Sequence, residues 1–322
     1  MRVAVLSGGR SSEHDVSLRS GDSVARGLQV AGHEALRVTI SRQGRWSCEG
    51  DGVRLEPAAG LLGCDVAFPA LHGPFGEDGS VQGLLESLDI PYVGSDVLSS
   101  AICIDKLTLK RLFAQAGVPQ VDFVAVGEDG WRERCAELGL PLWVKPSRLG
   151  SSVGISKVES LGAELDEAVA LALSHDPRVI VEAPATGREV ECSVLGNESP
   201  ETSLPGEILA HADWYDFEAK YGEGGMELAV PAPIGDEQLS RVRELATRVF
   251  ALAGCSGLAR CDFFVEDGGE ILVNEINTMP GFTETSVYAK LLEASGIAYS
   301  ELCDRLVKLA GERHRRSRSF EF

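Results

Sequence analysis

The chain has 322 residues, 44% of them hydrophobic and 25% charged, an ordinary composition for a globular protein with real cores in two or three domains. Thirty Lys and Arg against 49 Asp and Glu leave a formal charge of −19. That surface repels nucleic acid and anionic membranes, so neither is expected as a partner.

The N-terminal run Arg2 to Ser7 reads as a strand cut short by Gly8-Gly9, too brief for the core of a signal peptide. No stretch approaches the ~20 apolar residues of a spanning helix. The eight cysteines contain no C-x-x-C pair. They are expected as reduced thiols in a cytoplasm, and zinc is not expected. A helix over 17–31, strands at 35–40 and 64–70 and a helix at 80–88 alternate as in a parallel sheet covered by helices. A linker is expected around 94–100.

A second unit opens with a helical pattern over 101–117, ended by Gly117. Strands follow at 121–126, 142–145 and 153–158, then a helix at 160–174 and a strand at 178–182. The third unit carries strands at 188–195, 226–230, 260–266 and 270–275 and a helix at 236–253. The polar, Gly-rich stretch 211–225 fits no regular element, and a loop of that length is usually functional or disordered. The basic run Glu312 to Arg318 is expected to fray in solvent. The fold class is therefore α/β, becoming α+β toward the C-terminus, with units at 1–98, 99–183 and 184–322.

Chemistry concentrates at few positions. Lys145 ends a strand before the loop Gly150-Ser-Ser-Val-Gly154, Lys106 sits in a helix, and Lys220 lies in the long loop. Backbone N–H groups of such a turn can cradle phosphate, and lysines supply charge. Taken alone, the loop favours a plain hairpin with a surface lysine, because Gly/Ser loops are common and its spacing is not that of a P-loop. Asp262 opens a strand whose hairpin partner carries Glu275 and Asn277. Glu275 and Asn277 are two apart, so they share a face, and Asp262 can oppose them. Three oxygen donors of this kind suit Mg²⁺, the alternative being a solvated hairpin face.

Seven segments in order resemble the D-alanine–D-alanine ligases of the ATP-grasp superfamily. They are Gly8-Gly-Arg-Ser-Ser-Glu-His-Asp-Val-Ser17, Ala70-Leu-His-Gly-Pro-Phe-Gly-Glu-Asp-Gly79, Asp105-Lys106, Val144-Lys-Pro-Ser-Arg-Leu-Gly-Ser-Ser-Val-Gly154, Tyr215-Asp-Phe-Glu-Ala-Lys-Tyr221, Gly257-Leu-Ala-Arg-Cys-Asp262 and Asn274-Glu-Ile-Asn-Thr-Met-Pro-Gly-Phe-Thr283. The resemblance runs from Val3 to about Leu309. It implies a three-domain ATP-grasp fold with an N-terminal Rossmann-like sheet. It implies ATP-dependent joining of two D-alanines through an acyl phosphate, for peptidoglycan precursors in the cytoplasm.

The resemblance also implies roles. Lys106, Lys145 and Lys220 contact ATP phosphates beside Ser151 and Ser152, and Glu182 and Glu189 bind the adenine and ribose region. Asp262, Glu275 and Asn277 hold magnesium, as two ions, with manganese able to substitute. Glu13 anchors the first substrate's ammonium and His72 lies nearby. Arg260 and the Gly281 N–H stabilise the oxyanion, and Ser286 contacts the second substrate's carboxylate. Ser151, Tyr221 and Glu13 hydrogen-bond together to close the long loop and exclude water. Relatives that make the D-lactate ester typically carry His where this chain has Tyr221, which favours the dipeptide.

Two positions depart from the family: Val287-Tyr288-Ala289 lacks a frequent Pro, and Ala183-Pro184 replaces a bulkier pair. The family is commonly dimeric, and no feature of this sequence shows a homodimer. Two other readings stay open: the same chemistry with another acceptor such as D-serine, and a non-catalytic ATP-binding regulator.

Overall fold

The computed structural model describes residues 1–56, 60–209 and 227–320. Lys220, Tyr221 and the 211–225 stretch lie outside them.

The first sheet has the order β4-β3-β2-β1-β5. Strands β1 (Arg2–Gly8), β2 (Glu34–Ile40) and β5 (Val66–Pro69) are parallel, as the alternation predicts. The sheet is nevertheless mixed. β3 (Trp46–Cys48) and β4 (Asp51–Gly52) extend it antiparallel, having too few residues to leave a sequence pattern. Helix α1 (His14–Val30) buries Val16, Val24, Ala25 and Leu28. Helix α2 (Ser80–Ser87) buries Val81 and Leu85.

The expected linker at 94–100 is instead mostly helix. Asp96 caps α3 (Val97–Ile104), accepting the Ser99 N–H at 2.9 Å. The expected single helix 101–117 breaks at Asp105, whose backbone is extended (φ −88°, ψ 94°). Its carboxylate accepts the Thr108 N–H at 3.0 Å and so starts α4 (Lys106–Gln115).

The second sheet, β6-β9-β7-β8, comprises β6 (Phe123–Ala125), β7 (Leu142–Pro146), β8 (Ser156–Val158) and β9 (Val179–Glu182). Helices α5 (Trp131–Glu137) and α6 (Ala163–His175) join it. The third sheet runs β13-β12-β10-β14-β15, with β11 (Glu201–Thr202) on β10. Its strands are β10 (Arg188–Gly196), β12 (Gly206–Leu209), β13 (Glu227–Ala229), β14 (Gly257–Val265) and β15 (Ile271–Asn277). Asp262 therefore lies inside β14 rather than opening it. Helix α7 (Asp236–Leu252) covers this sheet with Val242, Leu245, Val249 and Phe250.

The segment after β15 returns to the N-terminal sheet. Phe282 packs edge-on against Phe68 with ring centroids 5.4 Å apart, in one core with Tyr288 of α8 (Val287–Ala294) and Leu302, Leu306 and Val307 of α9 (Tyr299–Ser317). The basic run does not fray: α9 continues through Ser317, and Arg313 stacks on Tyr92.

Candidate active site

Glu13, just before α1, and Ser151, in the loop after β7, meet across a 2.6 Å hydrogen bond, with the serine hydroxyl donating. The loop is held from below. Ser147 Oγ donates to Asp105 Oδ1 at 2.9 Å and accepts the Leu107 N–H at 3.0 Å, while Lys106 Nζ donates to the Leu149 carbonyl at 2.7 Å. Asp105 thus caps the helix that presents Lys106 and anchors the loop that presents Ser151. Ser151 and Ser152 both have positive φ (52° and 59°), strained for residues with a Cβ and typical of functional loops.

His72 joins three segments. Its Nδ1 lies 3.0 Å from the Met279 carbonyl, which can only accept, so Nδ1 carries the proton. Nε2 then accepts from the Ser20 hydroxyl at 2.8 Å. Burial holds the ring below its usual pKa, consistent with this neutral tautomer. Nearby, Glu77 accepts the Gly73 N–H at 2.7 Å. Burial and the Glu13 charge push Glu77 up to about 8.

The β14–β15 pairing sets Arg260 opposite Asn277 and Asp262 opposite Glu275. Asn277 Nδ2 lies 2.9 Å from Asp262 Oδ2 and 3.4 Å from Glu275 Oε1, so the three side chains share one face, as their spacing predicts. Arg260 clamps both Asp262 oxygens, at 2.8 and 2.7 Å, and its Nε reaches Glu191 Oε2 at 2.8 Å. Burial alone would lower the Arg260 pKa, but the Asp262 and Glu191 charges outweigh it and keep the guanidinium firmly charged.

Lys145 and Glu182 occupy adjacent antiparallel strands and meet at 2.6 Å. Burial would raise Glu182, but Lys110 and Lys145 hold it down at about 2. Glu189 is exposed on β10, one alternation before Glu191.

A cavity of about 420 Å³ gathers these groups. Glu13, His72, Ser151, Lys106, Arg260, Glu275, Asn277, Gly281 and Ser286 all line it, with His72 tied to the Gly281 segment through the Met279 carbonyl. Ser286 is the N-cap residue of α8, where free backbone N–H groups favour a carboxylate. Lys145, Ser152, Glu182, Glu189 and Asp262 lie off this lining, Lys145 close enough to feel the Glu275 charge.

Sequence reasoning missed Glu77, Glu191 and Lys110. Periodicity held a signal for two: Glu191 is two after Glu189 on a strand, and Lys110 is four after Lys106 on a helix. Among the described residues no three His, Cys, Asp or Glu side chains form a metal-binding group. The candidate set here is two carboxylates and an amide.

Two family models match the chain. "D-ala D-ala ligase N-terminus" covers residues 2–60 and 51–95, and "D-ala D-ala ligase C-terminus" covers residues 112–308. The chain belongs to the D-alanine–D-alanine ligase family. A D-alanine–D-alanine ligase of Deinococcus radiodurans is 49% identical over 335 aligned positions, covering 97% of this chain and 98% of that one. The solved D-alanine–D-alanine ligase of Coxiella burnetii superposes with a TM-score of 0.90 at 34% identity, covering 99% of this chain and 96% of its own. The VanG D-Ala:D-Ser ligase of Enterococcus faecalis gives 0.87 at 35% identity, covering 96% of this chain and 99% of its own. The mixed α/β chain, whose described residues form three sheets, matches these structures, and the expected ATP-grasp architecture fits this ligase family.

Proposed function

We infer that the protein is an ATP-dependent ligase that joins two D-alanines into D-alanyl-D-alanine for cell-wall synthesis. The observation that carries this is the 420 Å³ cavity, whose lining brings together Glu13, a carboxylate suited to an ammonium, and Arg260 and Gly281, donors suited to an oxyanion.

In this reading Glu13 holds the first D-alanine by its ammonium, leaving its carboxylate free to attack the γ-phosphate. One P–O bond forms, the bond to ADP breaks, and an acyl phosphate results. Lys106, Lys145 and Lys220 neutralise the phosphates, aided by backbone N–H groups near Ser151 and Ser152. Glu189 faces the ribose region, and Glu182 serves the nucleotide through Lys145. The second D-alanine binds its carboxylate at Ser286 and the start of α8. Its neutral amine attacks the acyl carbonyl and the C–N bond forms, the oxygen charge falls between Arg260 and the Gly281 N–H, and the C–O bond breaks so that phosphate leaves with the proton the nitrogen loses. Arg260 is suited to this because its paired carboxylates fix it in place.

Asp262, Glu275 and Asn277 are a hard oxygen-donor set that fits magnesium, in two ions or with manganese in its place. When bound, magnesium supplies charge neutralisation on the transferring phosphoryl group. Tyr221, with Ser151 and Glu13, belongs to loop closure in this reading. By resemblance to a family that is commonly dimeric we also propose a homodimer, and we propose the units 1–98, 99–183 and 184–322, the first boundary falling inside α3. Among the described residues no helix is long and apolar enough to cross a membrane. The eight free cysteines suit a reducing cytoplasm, where we place the enzyme.

The test is ADP and phosphate release with D-alanine, D-serine and D-lactate, with products identified by mass. Dipeptide from D-alanine alone is expected. The likeness to a D-Ala:D-Ser ligase makes a mixed product with D-serine the competing outcome, and no product with any acceptor rejects both. Glu275→Gln should retain the fold and lose turnover by at least about a hundredfold, through loss of one ligand charge. Wild-type turnover would remove Glu275 from the magnesium set.

A further inference from the structure

Lys110 has no task in the reaction above, yet it is one of the most buried side chains, 1% exposed. It leaves α4 one turn after Lys106, on the same face. Its Nζ lies 3.2 Å from Glu182 Oε1 and 5.9 Å from the centre of the Phe123 ring. The other oxygen of that carboxylate, Oε2, lies 2.6 Å from Lys145 Nζ. One buried carboxylate is thus shared by two ammonium groups from different elements, a helix and a strand.

The charge count gives the arrangement its meaning. Glu182 and Lys145 alone form a neutral pair, and a lysine so neutralised has little field to offer an anion. Adding Lys110 makes these three groups +1, with the Glu275 carboxylate close enough to act on both lysines. Burial lowers the Lys110 pKa and would raise that of Glu182, yet the two lysines keep the carboxylate ionised. A buried charge of this kind is costly to maintain, and an apolar residue of the same length would often be as stable. Stability alone therefore gives weak grounds for a lysine here.

We propose that Lys110 is a positioning residue of the nucleotide site: it satisfies Glu182 from behind, so that Lys145 stays in place with an uncancelled charge for the ATP phosphates. Lys110 itself never touches the nucleotide. The inference rests on the reading that Lys145 faces those phosphates.

The test is calorimetric binding of ATP, ADP and adenosine to the full chain and its variants. Lys110→Met keeps the length and removes the charge. It should weaken ATP on the order of tenfold, the Coulomb scale for one unit charge near a protein surface. ADP should lose less and adenosine little, because the loss follows phosphate charge. Lys110→Arg should recover most of the affinity. A second variant covers misfolding of the first. Lys110→Gln can still donate to Glu182 but carries no charge, so it should fold and lose ATP affinity in the same ligand order as Lys110→Met.

Equal losses for all three ligands would make Lys110 structural and overturn the proposal, as would unchanged ATP binding. The control is Lys145→Met. If it leaves ATP affinity intact, the assignment of Lys145 fails and this inference fails with it. If it weakens ATP while Lys110→Met does not, the inference about Lys110 alone fails.

Discussion

Glu77 lines the pocket with Glu13 and is held by the backbone at Gly73, whose N–H it accepts at 2.7 Å, and at Met279. Burial, then the Glu13 charge, raise its pKa from 4.5 to about 8. A carboxyl that binds its proton more tightly when folded adds stability that is complete below the unfolded pKa and is lost as pH rises through the folded one. Glu77→Gln removes that titration. The melting temperature of wild type relative to Glu77→Gln should therefore fall between pH of about 4.5 and about 8. A constant difference across that window would show that Glu77 is ionised in the fold throughout. Residues of this kind are hard to read in the sequence. Glu13, His72 and Ser286 stand out only through resemblance, because a carboxylate before a helix or a histidine in a loop is commonplace. Glu77 lies inside a matched segment with no role of its own, since its chemistry comes from neighbours that the chain brings together only by folding.

Elements are more legible, and their ends less so. The β14–β15 hairpin follows directly from alternation, and the same period of two puts Glu275 and Asn277 on one face. Periodicity alone merges α3 with α4, because apolar spacing continues across Asp105 while its carboxylate, bonded to Thr108 and Ser147, restarts the helix. The end of β1 shows how tightly such junctions are built. Gly8 has φ +92°, and a Cβ there would lie 2.3 Å from the Ile40 carbonyl oxygen. The same turn carries the Gly8 N–H to Ser17 Oγ at 2.8 Å and the Gly9 N–H to the Ile40 carbonyl at 2.7 Å. Gly8→Ala must strain φ and push backbone from backbone, so we expect a loss of about 2–4 kcal/mol in urea unfolding. Unfolding at the wild-type midpoint would mean that the turn relaxes without cost. The displacement would also reach Glu13, so turnover should fall with D-alanine below saturation.

At the scale of the molecule, the site exists because distant parts of the chain are tied together, and the C-terminal helix is one of the ties. The sequence of Glu312 to Arg318 looks like a solvated basic tail, since charge density says nothing of a partner. In the fold that partner is Tyr92, after the last helix of the N-terminal unit. The Arg313 guanidinium stacks 4.2 Å from the centre of the Tyr92 ring and donates to the Tyr92 carbonyl at 3.1 Å. Arg318 Nε adds a 2.6 Å bond to Asp89. Arg313 is only 17% exposed, so its stack is partly shielded from solvent, whereas the exposed Arg318 pair is worth little. Arg313→Ala removes the cation–π contact and two charged hydrogen bonds, to the Tyr92 carbonyl and hydroxyl, together about 1–3 kcal/mol. Arg313→Lys should fall between, keeping the charge while losing the planar stack. Arg318→Ala should cost under about 0.5 kcal/mol. Urea unfolding of the three variants orders these contributions, and an Arg313→Ala variant as stable as Arg318→Ala would return the end of α9 to the status of a solvated tail. Because α9 also carries Leu302, Leu306 and Val307 into the core that holds Phe282, loosening it should transmit to Gly281 and Ser286 in the cavity lining. The expected sign is a higher KM for the second D-alanine in Arg313→Ala, with the KM for ATP unchanged.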